Sequence, residues 1–355
     1  MPKRQLAAFL SCSALELTDE EKRLFAKIRP AGITLFARNI ADIEQIKNLI
    51  SQIKNTAGPD TLIAIDQEGG RVRRLKEPDF MPYGSAFQIG SLPLPQARKI
   101  AKLHAKLISH DLNSVGIDVN FAPVLDVLHD NTTSALGSRC FSSDSKLVAQ
   151  LGKIMLKSYI DNGIIPCIKH LPGHGFAVSD PHLGLPVINK SLSELKTEFA
   201  PFKACNFSPF GMTAHILLPQ IDSVYPITQS AIGISKIIRG VIGFDGFLIS
   251  DAIDMKALQG TPSEKALASL QAGCDCVCYC MGYMDEMLDL AKNCPQLSDE
   301  ACERLDKAKQ ILHNKKVGSD IIRESDEYLR VMNNVAAYSD KYDATEVLHQ
   351  LQRKS

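Results

Sequence analysis

The sequence has no excess of charge of either sign. Its 40 lysine and arginine residues balance its 40 aspartate and glutamate residues, so the formal net charge at pH 7 is zero. Proteins that bind nucleic acid or an anionic membrane electrostatically carry a surplus of basic side chains. The local basic cluster of Arg71, Arg73 and Arg74 is too short to form a basic surface of that kind. We therefore expect no nucleic-acid partner and no membrane partner.

Long hydrophobic runs are also missing. No stretch approaches the ~18 apolar residues that a membrane-spanning helix requires. Residues 1–12 contain an apolar run of only about five residues, whereas the core of a signal peptide needs about 7–15. We predict that this segment forms a first β-strand and that the protein is cytoplasmic.

The ten cysteines lack the spacing of a disulfide framework, which is typical of proteins from a reducing compartment. Cys274, Cys276, Cys278 and Cys280 alternate along the chain, as residues on one face of a strand do. Such a row could bind a soft metal or could be a set of small buried side chains, and we favour burial.

The composition, 45% hydrophobic and 23% charged, is typical of a globular protein with a substantial core. A length of 355 residues fits one large domain or two medium ones. Because no Ser/Gly/Pro-rich linker divides the chain, we predict a single domain over residues 1–355. A helical extension is predicted from about residue 316.

Short apolar runs alternate with amphipathic helical segments. The predicted strands span residues 6–10, 33–36, 62–65, 118–121, 165–169, 211–215, 247–250 and 275–279. The predicted helices span residues 19–28, 42–56, 96–115, 145–162, 193–204, 230–241 and 261–272. Eight strands that alternate with helices predict a (β/α)8 barrel, with a doubly wound sheet as the alternative.

Five predicted strands end in polar side chains: Asp66, Asp126, the pair Lys169 and His170, His215, and Asp251. Catalytic residues of barrel enzymes lie at the carboxyl ends of the strands and in the loops that follow. Because these ends meet at one mouth of the barrel, the pattern predicts a polar pocket.

The segment after the fifth strand is the densest in chemistry. Residues 169–175 spell Lys-His-Leu-Pro-Gly-His-Gly, and Asp180-Pro181-His182 follows. The histidines could be metal ligands together with Asp251. Alternatively, Asp180 orients His182 as a general acid and base, and Asp251 is the nucleophile. His174, between two glycines, fits a structural role best.

Further acidic residues follow the third and seventh strands. Asp66 could accept hydrogen bonds from a polyhydroxylated ligand. Glu68 and Arg71 could contact the ligand or form a structural pair in the turn. Asp254 is assigned to the start of the next helix.

Six motifs occur in this order along the chain. They are Asp-Gln-Glu-Gly-Gly-Arg-Val at 66–72, Phe-Ala-Pro-Val-Leu-Asp-Val at 121–127, Gly-Ser-Arg-Cys-Phe at 137–141, the run at 169–175, Asp-Pro-His at 180–182 and Ser-Asp-Ala at 250–252. Taken together, they resemble glycoside hydrolase family 3, and within it the single-domain bacterial β-N-acetylglucosaminidases of peptidoglycan recycling.

The resemblance implies a retaining mechanism and assigns roles to individual residues. Asp251 corresponds to the nucleophile of a covalent glycosyl-enzyme, His182 to the acid/base and Asp180 to its partner. The positions that bind the N-acetylglucosamine ring correspond to Asp66, Arg74, Arg139, Lys169 and His170.

The resemblance also implies the partners of the protein. No metal and no organic cofactor is implied. The expected substrate is a small sugar, N-acetylglucosamine linked to anhydro-muramic acid or its peptides, and the expected state is a monomer.

Two positions depart from the family pattern. Leu171 stands where the family usually has Phe, and Pro181 where Ser is common.

Four other functions stay open. The alternatives are a family 3 phosphorylase, a β-glucosidase, a metal-dependent amidohydrolase built on His170, His174, His182 and Asp251, and a non-catalytic sugar sensor.

Overall fold

A computed structural model describes residues 4–315 and 321–336 of the chain. Eight parallel strands form a closed barrel in sequence order. They are β1 (Leu6–Leu10), β2 (Pro30–Leu35), β3 (Leu62–Ile65), β4 (Val119–Asn120), β5 (Ile165–Leu171), β6 (Phe210–Thr213), β7 (Phe247–Ala252) and β8 (Cys276–Cys278). Strand β8 pairs with β1 and closes the barrel. The predicted (β/α)8 barrel is confirmed.

Helices follow the strands around the outside. They are α1 (Asp19–Ile28), α2 (Ile43–Ala57), α3 (Ala86–Gly90), α4 (Leu94–Val115), α5 (Ser145–Asp161), α6 (Leu192–Ala204), a π-helix (Gly233–Val241), α7 (Pro262–Ala272), α8 (Met284–Asn293), α9 (Asp299–Lys309) and α10 (Ile321–Met332). Short 3-10 helices span Ala37–Asn39, Gly137–Arg139, Ile227–Gln229 and Gln310–Asn314.

The amino ends of the helices show why the sequence places them there. Thr18, Ser191 and Thr261 each accept a hydrogen bond from the third helical residue, whose Glu side chain accepts from the cap backbone in return. Pro262 at the first position of α7 needs no hydrogen-bond acceptor there. Helix α6 therefore begins at Leu192 after the cap at Ser191, one residue before the predicted start at Ser193.

The structure differs from the predicted elements in several places. The helix predicted at 230–241 is a π-helix that begins at Gly233. The strand predicted at 118–121 is reduced to β4, although the N–H groups of Asp118 and Phe121 still donate to the Ile63 and Ile65 carbonyls of β3. Helices α3, α8 and α9 are not among the predicted elements.

An aromatic cluster fills the barrel interior. Phe9 packs against Phe121 and Phe210, with ring centroids 6.2 and 6.3 Å away, and Phe210 packs on Phe247 at 4.7 Å. Phe9 is on β1, Phe210 is on β6 and Phe121 follows β4, so the contacts of Phe9 cross the barrel, whereas Phe210 and Phe247 lie side by side on the paired strands β6 and β7. Gly32 makes room for Phe9, because a Cβ on Gly32 would lie 2.2 Å from the ring. Because these rings fill the interior, the polar side chains of the predicted site lie at the mouth formed by the carboxyl ends of the strands.

All ten cysteines are free thiols, and nine of them are buried. Burial raises the pKa of the Cys274 thiol to about 12, as expected for a small side chain inside a core. No helix in the described ranges is long and apolar enough to cross a membrane.

The predicted helical extension from about residue 316 lies partly outside the described residues, at 316–320 and 337–355. Its described part is helix α10, which packs on α4 through an ion pair between Glu324 and Lys106 at 2.6 Å. The single-domain organisation stays a prediction.

Candidate active site

A cavity opens at the carboxyl ends of the strands. Seven residues predicted for the site line it: Asp66, Arg74, Arg139, Lys169, His170, His182 and Asp251. Asp180, the eighth, hydrogen-bonds to the lining residue His182. Lining residues that sequence reasoning missed include Phe36, Met212, Asp254, Met255, Lys256, Cys278, Cys280 and Met281.

Glu68 is the central anion of one wall. Its carboxylate accepts two hydrogen bonds from Arg139, at 2.9 and 2.8 Å, and contacts Lys169 Nζ at 2.7 Å. Burial alone would raise the pKa of Glu68, but the charges and hydrogen bonds of Arg139 and Lys169 outweigh it and lower that pKa well below its ordinary range. The carboxylate therefore stays ionised and fixes both cations. Arg71, the other residue considered for this wall, lines the cavity and donates to the carbonyls of residues 134–136.

Lys169 joins Glu68 to Asp66. The Lys169 ammonium lies 2.8 Å from Asp66 Oδ1, and the Arg74 guanidinium lies 3.6 Å from Oδ2 of the same carboxylate. Burial would lower the pKa of Lys169, but the two carboxylates outweigh it and raise that pKa. The wall thus presents fixed donors and acceptors, the chemistry that recognises sugar hydroxyls.

His170 is oriented from beneath the cavity. Asp126, fully buried, lies 2.7 Å from His170 Nδ1, so that Nδ1 donates and Nε2 is left on the cavity side of the pair. Burial raises the pKa of Asp126, but the charge and hydrogen bond of His170 outweigh it and lower that pKa. The His170 Nε2 atom lies 3.4 Å from Arg139.

Asp180 and His182 form a dyad in the loop after β5. Oδ1 of Asp180 lies 2.7 Å from Nδ1 of His182. Burial lowers the pKa of His182, but the hydrogen bond and charge of Asp180 outweigh it and raise that pKa. The same pair lowers the pKa of Asp180 against the effect of its own burial. An imidazole in this setting can give and take a proton near neutral pH.

Asp251 ends in the cavity at the carboxyl end of β7. Its Oδ1 accepts a hydrogen bond of 2.8 Å from the backbone N–H of Ala252. Burial raises the pKa of Asp251, but the imidazoles of His170 and His215 and this N–H outweigh it and lower that pKa. An ionised carboxylate so placed can act as a nucleophile.

Two of the predicted strand-end residues support the site rather than line it. Asp126 lies beneath His170, and His215 is buried with its nitrogens near Thr228 Oγ1 at 2.8 Å and the Ala252 carbonyl at 3.0 Å. The position predicted for Asp254 is wrong. It lies before α7, lines the cavity and accepts a hydrogen bond from the Cys280 N–H.

The amidohydrolase alternative requires a cluster of metal ligands. Among residues 4–315 and 321–336, no three His, Cys, Asp or Glu side chains come close enough together to hold a metal ion. His174 is buried away from the cavity, and burial lowers its pKa to about 4.

Comparison with known proteins identifies the family of the chain. Residues 4–314 match the glycosyl hydrolase family 3 N terminal domain. A beta-hexosaminidase of Neisseria gonorrhoeae is 36% identical over 288 residues, which cover 78% of this chain and 79% of that protein. A beta-hexosaminidase of Thiobacillus denitrificans is 33% identical over 84% of this chain and 81% of its own.

A solved structure is similar over nearly its whole length. NagZ from Neisseria gonorrhoeae in complex with N-trifluoroacetyl-D-glucosamine superposes with a TM-score of 0.84 and 30% identity, covering 93% of this chain and 98% of that chain. The chain belongs to glycosyl hydrolase family 3 and is a glycoside hydrolase of the β-hexosaminidase kind.

Proposed function

We propose that the protein is a retaining exo-β-N-acetylglucosaminidase that releases terminal β-linked N-acetylglucosamine from peptidoglycan fragments in the cytoplasm, as a monomer. The observation that carries the proposal is one cavity that holds the Asp251 carboxylate, the Asp180–His182 dyad and a wall of fixed polar groups. No metal and no organic cofactor takes part in the proposed reaction.

In the first step, Asp251 attacks the anomeric carbon and His182 donates a proton to the leaving oxygen. A glycosyl-enzyme forms as the glycosidic bond breaks. In the second step, His182 takes a proton from water, the water attacks the anomeric carbon, and Asp251 is released. The lowered pKa of Asp251 favours its ionised form and the raised pKa of His182 favours its protonated form, which are the forms that the first step needs.

A histidine suits this double task. The same group must be an acid in one step and a base in the next, so its pKa should lie near the working pH. Imidazole titrates at about 6.5 without help, whereas a carboxylic acid must be shifted upward by burial. A neutral base also avoids repulsion of an anionic leaving group such as the carboxylate of muramic acid.

The ring of N-acetylglucosamine would bind to the wall of five residues: Asp66, Arg74, Arg139, Lys169 and His170. Glu68 fixes Arg139 and Lys169, and Asp126 fixes His170, before the sugar arrives. This preorganisation lowers the cost of ordering side chains on binding. The N-acetylglucosamine analogue bound to NagZ from Neisseria gonorrhoeae supports a small glycan as the substrate class.

The test is an assay of the pure protein with an aryl β-N-acetylglucosaminide and an aryl β-glucoside, in chelator, beside Asp251→Ala. We expect release from the first substrate alone and its loss in the variant by a factor of about a thousand or more. Product analysis in phosphate buffer separates hydrolysis from phosphorolysis. Release from neither substrate, or release that needs added metal, would overturn the proposal.

A further inference from the structure

A buried hydrogen-bond chain connects helix α10 with Glu68. The Gly84 backbone nitrogen lies 3.0 Å from the hydroxyl of Tyr328. That hydroxyl lies 2.8 Å from Nδ1 of His104, and Nε2 of His104 lies 2.8 Å from the carbonyl oxygen of Glu68. Tyr328 is 0% exposed and His104 is 1% exposed, so water does not compete for these bonds.

The direction of each bond follows from the chemistry of its two ends. A carbonyl oxygen only accepts, so His104 donates from Nε2 to Glu68. Its Nδ1 is then an acceptor, and the Tyr328 hydroxyl donates to it. The hydroxyl oxygen in turn accepts from the Gly84 N–H. Burial lowers the pKa of His104 to about 4, so the imidazole stays neutral and keeps this tautomer at neutral pH.

The chain ends at a tight turn. The N–H groups of Glu68 and Gly69 both donate to the Val72 carbonyl, at 3.0 and 3.2 Å. Gly69 has φ +104°, and a Cβ there would lie 2.7 Å from Cε1 of His104. The imidazole therefore sits directly against the backbone of the turn and limits where Glu68 can lie.

From that turn, the Glu68 side chain reaches into the active site. Its carboxylate contacts Arg139 and Lys169, both of which line the cavity. A shift of the Glu68 backbone would move both cations. Helix α10 is thus coupled to the cavity wall through two buried side chains, although it lies outside the barrel.

We propose that Tyr328 and His104 are positioning residues for the sugar ring: they fix Glu68, and through Glu68 they set Arg139 and Lys169 in the geometry that binds N-acetylglucosamine. The inference rests on the proposed function, because it takes Arg139 and Lys169 as groups that bind the sugar.

Other contacts attach α10 to the barrel independently of the hydroxyl. Glu324 pairs with Lys106, Glu327 pairs with Lys99, and Met332 is buried against Gly84. The substitution Tyr328→Phe removes the hydroxyl and leaves these contacts in place. Lys99→Ala is the matched control, since it removes one contact between α10 and α4 without touching the hydrogen-bond chain.

The experiment measures kcat and KM of both variants with an aryl β-N-acetylglucosaminide. We expect Tyr328→Phe to raise KM by about threefold to tenfold with kcat nearly unchanged, since the hydroxyl's two buried hydrogen bonds, to His104 and from Gly84, are lost. Lys99→Ala should change neither constant. Loss of folded enzyme alone would lower the apparent kcat and leave KM unchanged, so that result, or an unchanged KM, overturns the proposal.

If Tyr328→Phe does not fold, hydrogen exchange of the wild-type protein tests the same proposal. Coupling between two sites is reciprocal, so saturating N-acetylglucosamine should slow hydrogen exchange in α10 at least threefold relative to α1, which is remote from the chain. Equal exchange with and without the sugar would then overturn the inference.

Arg139→Ala separates this inference from the function on which it rests. A raised KM in Arg139→Ala with an unchanged KM in Tyr328→Phe refutes only the role of the chain from α10. An unchanged KM in Arg139→Ala refutes the proposed sugar-binding wall itself.

Discussion

One oxygen of the Asp180 carboxylate lies 2.7 Å from Nδ1 and 2.9 Å from the backbone nitrogen of His182. A single acceptor thus fixes both the ring and the main chain of the same residue. Nδ1 must donate, which leaves Nε2 as the nitrogen that exchanges a proton with the substrate.

Asp180→Asn should shift the pH profile of kcat/KM. Asp180 raises the pKa of His182, so the protonated acid persists to higher pH in the wild type. Asparagine can still accept from Nδ1 but carries no charge, so the pKa of His182 falls and the basic limb moves to lower pH. We also expect kcat/KM at the optimum to fall roughly tenfold to hundredfold. A basic limb at the wild-type position would contradict this role for Asp180.

His182→Glu should distinguish charged from neutral leaving groups. A carboxylate base repels the carboxylate of muramic acid but has no such effect on an aryl group. We expect kcat/KM to fall further for a disaccharide that carries the muramic acid carboxylate than for an aryl glycoside. The methyl ester of the same disaccharide is the control and should behave as the aryl substrate does. Equal losses for acid and ester would rule out the electrostatic explanation.

Pro181→Ser should lower turnover. Pro181 is buried between the two members of the dyad, and its carbonyl accepts from the Ala257 N–H at 3.1 Å. Proline fixes its own φ and keeps Asp180 extended, so serine adds freedom to the dyad. A decrease in kcat of about twofold to tenfold is expected in stopped-flow and steady-state rates. Pro186→Ser, in the same loop but outside the dyad, should have little effect, and wild-type rates in Pro181→Ser would refute the idea.

Glu68→Gln should destabilise the fold because it leaves Arg139 and Lys169 without their buried anion. We expect a loss of about 3 kcal/mol in the free energy of unfolding at pH 7, measured by chemical denaturation. The exposed Glu194, paired with Lys190, provides the control Glu194→Gln, which should leave the stability unchanged.

The difference in stability between the wild type and Glu68→Gln should depend on pH. The pKa of Glu68 is lower in the folded protein than in the unfolded chain, so its stabilisation is complete above about pH 4.3 and is lost as the pH falls further. The difference in the free energy of unfolding between the wild type and Glu68→Gln should therefore become smaller as the pH falls. A constant gap down to pH 3 would mean that the ionised Glu68 carboxylate is not the source of the stability.

Local signals in the sequence were enough to predict the barrel. Strand β1 is an uninterrupted apolar run, and helix α1 has its cap and its apolar face within one short segment, so both were predicted at their observed bounds. Seven of the eight proposed site residues line the cavity because parallel strands in a barrel direct their carboxyl ends to one mouth. The residue roles themselves remain predictions.

Pairings between distant residues could not be predicted in this way. Glu68 and Arg139 are 71 positions apart, and nothing in their local sequence identifies them as partners. Asp126 beneath His170 and Tyr328 against His104 are equally non-local. Asp254 was misplaced because an acid shortly after a strand is also typical of a helix cap, and the actual helix begins eight residues later, at Pro262.

Closure of the barrel by pairing of β8 with β1 also has a consequence for synthesis of the chain. Asp66 is made 185 residues before Asp251, an interval of roughly 10–40 s at ordinary rates of translation. During that time β1 has no β8 to pair with, and its apolar edge stays open. The barrel, and with it the pocket, can therefore close only after β8 has been synthesised, although seven of the eight strands are made before it.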